Sequence, residues 1–161
     1  HRGAALNYWL FKSEPGTFGI DDLAAAPRRT TCWEGVRNDQ ARNMIRDQMR
    51  RNDLAFLYHS SCNEPGIAGT VRIVRSAYAD GTAFDHRSRY FDEASDPDDP
   101  RWFMVDIKLV RKFVRPVTLQ ALRQHAAGAL RDMWVLRRGN RLSVTPVTAA
   151  EWNFIVGLAG Q

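Results

Sequence analysis

The side chains best suited to specific chemistry in this sequence are one tryptophan and the arginines that follow it. Trp33 stands in a polar, glycine-containing stretch, Trp33-Glu34-Gly35-Val36-Arg37-Asn38, outside any periodic core pattern. An indole so placed can serve as a platform for a flat heterocycle, and stacking on a nucleic-acid base stabilises by about 1–3 kcal/mol. It can equally pack against the end of the fold. Beyond it, Arg42, Arg46 and Arg50 recur at every fourth residue, with Arg37 just ahead of them. On a helix that spacing makes one stripe able to follow backbone phosphates. Arg72 and Arg75 could extend the same surface. Asp39 and Asp47 lie within reach of the stripe, so a solvated face of weak ion pairs is the competing reading.

Nucleophilic and metal chemistry find less support. Cys62 lies three residues from His59, and Asp85 precedes His86, but neither pair belongs to a nucleophile elbow or a glycine-rich phosphate loop. Cys32 and Cys62 lack metal-ligand spacing with His59, His86 or His125, and a structural zinc needs four close ligands. No catalytic set, metal or cofactor is therefore expected. Two cysteines make no disulfide framework and fit a reducing compartment.

Composition narrows the partner. The 161 residues suit one domain with one core, and 44% hydrophobic with 25% charged residues is ordinary for a globular chain. No apolar run approaches the roughly 20 residues of a membrane span, so no membrane partner is expected. Net charge is +5, and acidic residues concentrate between Asp92 and Asp99, which leaves the remainder more basic still. All but three of the 23 basic residues are arginine. Its planar fork suits phosphates and base edges, although a GC-rich genome favours arginine too. The balance favours a polyanion. Residues 1–6 are set aside as disordered or left over from cloning, and 7–161 are taken as a single domain.

The elements that must position these residues are legible in outline. Strands are predicted at Tyr8–Lys12, Leu54–His59, Ile67–Arg75 and Trp102–Phe113, with a short one at Leu142–Val144. Helices are predicted at Ile20–Ala25, Asp39–Arg51 and Thr118–His125, with a helical piece at Leu130–Leu136. In the second of these, Ala41, Met44, Ile45, Gln48 and Met49 share one face. Thr148 and Glu151 form a capping box for a last helix whose Trp152, Ile155, Val156 and Ala159 face inward. Trp9 and Trp102, both in strands, are assigned to the core. Residues 79–100 make a polar loop of a length that is usually functional or mobile. The order does not alternate as parallel βαβ units would. An α+β fold results, a small, mostly antiparallel curved sheet or barrel with helices outside it.

Several strings are specific beyond this. Tyr8-Trp9-Leu10-Phe11-Lys12-Ser13-Glu14-Pro15, the Trp33–Asn38 stretch with Gln40-Ala41-Arg42-Asn43, Tyr58-His59-Ser60-Ser61-Cys62, Ile67-Ala68-Gly69, Pro100-Arg101-Trp102 and Arg141-Leu142-Ser143-Val144-Thr145-Pro146-Val147 occur in one order from about Asn7 to Val156. Together they resemble the signature of EVE domains. The resemblance implies a PUA-like curved β-barrel with peripheral helices, and kinship with domains that hold a methylated base in an aromatic cage. It also implies a non-enzymatic reader of a modified base, such as a modified cytosine, in DNA or RNA. A nuclease-like enzyme of the same superfamily and a nucleoside-binding module are the alternatives.

If the strand ends converge as in such barrels, Lys12, Ser13, Asn38, Ser60 and Ser61 ring Trp33 and offer donors and acceptors to a base edge. Asn38 is also placed to cap the helix after it, and the serines to close turns. The resemblance puts Leu142 and Ser143 in a further wall. Tyr90 and Phe91, in the long loop, either close over a ligand or anchor the loop. A monomer or weak dimer is expected, cytoplasmic or nucleoid-associated in a bacterium and nuclear in a eukaryote.

Overall fold

The computed structural model describes residues 6–160. The expectation for residues 1–6 lies, apart from Leu6, outside them. Strand β1 (Tyr8–Ser13) shows why the sheet sits where it does. Trp9, Leu10 and Phe11 are all buried, although successive side chains of a strand point to opposite faces. Both faces are covered. Trp9 and Phe11 enter one cluster with Trp33, Ile45, Leu57 and Ile107. Leu10 enters a second with Phe56, Phe113, Trp152 and Ile155.

The strands are β1, β2 (Thr30–Cys32), β3 (Leu54–His59), β4 (Gly66–Ala79), β5 (Phe103–Thr118) and β6 (Val144–Val147). They form one sheet in the order β2-β5-β4-β3-β1-β6, antiparallel except for β1 beside β3. A parallel pair needs a long crossover. Here it carries α1 (Ile20–Ala25), β2 and α2 (Asp39–Asn43), which cover the first cluster. On the other face lie α3 (Leu119–Arg123) and α4 (Ala149–Ala159). Thr148 accepts the Glu151 N–H at 3.1 Å and Glu151 accepts the Thr148 N–H at 2.9 Å, the expected capping box.

The sheet curls. The β4–β5 ladder shifts register at four places, and each extra residue bends its strand. Glycine permits the tightest approach: a Cβ on Gly69 would collide with the Arg111 carbonyl. The curl brings Cys32, on edge strand β2, and Ser143, just ahead of edge strand β6, to the same cavity. Among the described residues no ladder joins β2 to β6, so the expected curved sheet is present without a hydrogen-bonded closure.

Other departures are local. Strand β2 was not expected. The helix from Asp39 leaves α-geometry after Asn43 and runs to Gln48 as a π-turn. Residues 130–136 are turns ending in a 3₁₀ turn at Trp134–Leu136, not a helix. The last strand begins at Val144, so Leu142 and Ser143 precede it. Trp102 lies just before β5 and is buried, its indole N–H donating to Asp92 at 2.6 Å.

Candidate functional site

A cavity of about 560 Å³ opens where β1, β2 and β3 end. Lys12 and Ser13 come from the end of β1, Ser60 from the residue after β3, and Ser143 from the approach to β6. Backbone bonds lock these ends together. The Lys12 N–H donates to the Ser143 carbonyl and the Ser60 N–H to the Ser13 carbonyl, both at 2.8 Å. The Ser13 hydroxyl donates to the Phe18 carbonyl and so fixes the turn that follows β1. Burial pushes the Lys12 amine below the ordinary lysine range.

Trp33 continues β2, its N–H bonded to the Val105 carbonyl at 2.8 Å. Phe11 supports the indole at 5.2 Å with the ring planes tilted by 41°, and Phe18 meets it edge-on at 6.4 Å. It is only 9% exposed, yet it lines the cavity. The ring is thus both part of the core and a wall of the cavity. Aromatic neighbours set at such angles make a stiff platform.

Tyr90 forms another wall and lies on Gly35. A Cβ there would sit 2.5 Å from the tyrosine ring, and Gly35 has φ +86°. Arg37 fixes this arrangement. Its guanidinium donates to the Tyr90 carbonyl at 2.7 and 3.1 Å, to Asp80 at 3.0 Å, to Thr82 at 3.2 Å and to the Val36 carbonyl at 3.0 Å. All five N–H donors are thus committed inside the protein. Asp80 is fully buried and also accepts the Gly35 N–H at 2.8 Å. Burial alone would push its carboxyl up, but the hydrogen bonds from Gly35, Thr82 and Arg37 outweigh it and hold the group below the usual carboxylate range.

The remaining candidates stand apart from the cavity. Asn38 caps α2, accepting the Ala41 N–H at 3.0 Å. Ser61 is exposed in a left-handed turn with φ 54°. Leu142 is buried in the first core cluster, and Phe91 lies against His86 at 4.3 Å. Arg42 donates to the Arg101 carbonyl at 2.6 Å and pairs with Asp39 at 3.3 Å, while Arg46 pairs with Asp47 at 2.7 Å. Arg50 is exposed. Arg72 donates to Asn52, and Arg75 covers the Tyr78 ring.

Sequence reasoning did not select Arg89, Arg141, Glu14, Glu34, Phe18 or Cys32, all of which line the cavity. Glu14, Glu34 and Arg141 fall inside the strings quoted above, so a signal existed for them. Arg89, in an aperiodic loop, had none. The Cys32 thiol is pushed up to about 11 by burial and by Glu34, so it stays protonated and is a poor nucleophile. His59 accepts the Ile20 N–H through Nε2 at 3.1 Å and so supports α1. Among the described residues no group of three or more His, Cys, Asp or Glu side chains could hold a metal ion.

Comparison with known proteins places this geometry. The family described as EVE domain matches residues 7–158. Mouse thymocyte nuclear protein 1 is 44% identical over 94% of this chain and 73% of its own length. An uncharacterized Schizosaccharomyces pombe protein is 38% identical over 96% and 69%. Among solved structures, human THYN1 in complex with 5-methylcytosine-containing DNA superimposes with a TM-score of 0.90 at 42% identity, covering 96% of this chain and 98% of that one. A Pseudomonas putida protein gives 0.89 at 45% identity, covering 94% and 99%. Matched over almost its whole length by family, sequence and fold, the chain belongs to the EVE domain family.

Proposed function

We propose that this domain is a non-enzymatic reader of DNA that takes a modified base, 5-methylcytosine or a close analogue, into the cavity beside Trp33. The observation that carries the reading is the likeness, at TM-score 0.90 and 42% identity, to a protein solved on DNA containing that base. The curled sheet fits the PUA-like barrel that the family resemblance implies. The cavity supports the reading independently. Its volume of about 560 Å³ lies within the roughly 300–1,000 Å³ of small-ligand pockets.

Removing a base from the duplex costs about a few kcal/mol in lost stacking and pairing, which the pocket must offset. Trp33 supplies stacking area and Tyr90 a second aromatic wall. Lys12, Ser13, Ser60 and Ser143 supply the polar edge, where an unpaired group rejects the wrong base. Asn38, as the cap of α2, and Leu142, in the core, act from behind by holding the segments that carry the wall, and Ser61 and Phe91 take no part in the pocket.

Binding of short duplexes that differ only in one cytosine methyl tests this by fluorescence anisotropy. Burying the methyl stabilises by about 1 kcal/mol, roughly fivefold tighter binding for the methylated duplex. Equal affinity for both duplexes sinks the reading. Strand cleavage that tracks with the purified protein, with or without magnesium, assigns the site to a nucleic-acid-processing enzyme instead.

A further inference from the structure

The cavity has a charged rim that the helix stripe does not explain. Arg89, from the long loop, and Arg141, from the approach to β6, both line the cavity and are both exposed. Among the described residues neither makes an ion pair. Most arginines around α2 are in a different state. Arg42 and Arg46 are paired with Asp39 and Asp47, and Arg37 has no donor left. Arg50 is exposed and outside every ion pair among the described residues, but it does not line the cavity. An acidic partner close by cancels much of an arginine's pull on a distant phosphate.

The segment bearing Arg141 is also built to hold its shape. The Arg137 N–H and the Asn140 side-chain amide both donate to the Trp134 carbonyl, at 3.0 and 2.9 Å. The Asn140 carbonyl oxygen accepts the Leu142 N–H at 3.2 Å, and Gly139 turns the chain with φ +76°. A pinned turn presents its cations with little ordering cost on binding.

We propose that the phosphates flanking the bound nucleotide are held at the mouth of the cavity by Arg89 and Arg141, and not by the α2 stripe. The inference rests on the reading that a DNA base occupies the cavity. A base inside it leaves its own sugar and the adjoining phosphates at the opening, where rim cations are the first groups they meet. Glu14 and Glu34 share the lining and repel phosphate, which leaves the arginines as the lining groups that attract it.

The test is the salt dependence of affinity for a duplex carrying one 5-methylcytosine, measured by anisotropy. Each phosphate contact contributes about 0.9 to the slope of log K against log salt on duplex DNA. Arg89→Ala and Arg141→Ala are each expected to weaken low-salt binding several-fold and to lower the slope by about 0.9, with unchanged melting and an unchanged preference for the methylated duplex. Arg46→Ala and Arg50→Ala, which test the rival stripe, are expected to leave the slope as it is. A lower slope in the α2 variants, with none in the rim variants, overturns the inference while the base-reading function stands. A wild-type protein that binds neither duplex at low salt sinks both.

Discussion

At the scale of single residues, Trp33 carries two roles that a crude substitution would confuse. Phe11 and Phe18 hold its ring in the larger core while one side lines the cavity. Trp33→Ala is therefore expected to cost about 3–5 kcal/mol of stability, as core tryptophan truncations do, together with the binding. Trp33→Phe separates the two. It keeps a ring against Phe11 with a modest fall in melting temperature, and it should weaken binding to the methylated duplex by about 1 kcal/mol, near fivefold. Full affinity in that variant makes the indole a packing residue only. His59 provides a second residue-level expectation. Burial holds its imidazole below the ordinary value, Asp21 opposing, and its bond to the Ile20 N–H needs an unprotonated Nε2. With the folded value below the unfolded one, this contribution is complete above about pH 6.5 and disappears as pH falls through the folded value. Thermal melts between about pH 7.5 and 5 should show declining stability that flattens in His59→Phe. The depressed carboxylates, Asp80 among them, act only at lower pH and do not blur that window.

At the scale of elements, the long loop is held less by its own sequence than by the Arg37–Asp80 pair. Removing Arg37 leaves a fully buried carboxylate without its cation, an error that costs about 3–5 kcal/mol in buried pairs. Arg37→Ala should lose about that much stability and, in hydrogen exchange, lose protection across residues 81–100 before the strands do. Arg37→Lys should recover little, because a point charge with three donors cannot reproduce five planar ones. Melting and exchange indistinguishable from wild type in the alanine variant would show the loop to be anchored elsewhere. That pair also marks the limit of what the sequence discloses. Strands β1, β3, β4 and β5 and the α4 capping box are legible because apolar residues and local caps announce them. Strand β2 is not, since Thr30–Cys32 is a three-residue, half-buried strand defined only by its pairing with β5. The apolar face of α2 is legible in Ala41, Met44, Ile45 and Met49, yet its passage into a π-turn leaves no mark on that pattern. Of the cavity, Trp33 and the strand-end polar residues could be proposed from motif strings. Arg89 and the partner of Arg37 belong to contacts between distant segments, which no periodicity encodes.

At the scale of the whole molecule, the proposed function divides charge and shape discrimination between separate parts. A net charge of +5 on a small domain favours a polyanion of any sequence, and such attraction weakens as salt rises because each released counterion then gains less entropy. The methyl group of a bound base would instead meet the uncharged wall around Trp33, Phe18 and Val36, inside a cavity set by the curl of the sheet. Burial of a methyl involves no counterion, so its contribution should not vary with ionic strength. Affinities for methylated and unmethylated duplexes, measured across a salt series, are therefore expected to give two parallel lines on log–log axes, separated by roughly fivefold throughout. If the lines converge as salt rises, the preference arises from charged contacts outside the cavity, and the division between an electrostatic rim and an apolar reading pocket does not hold.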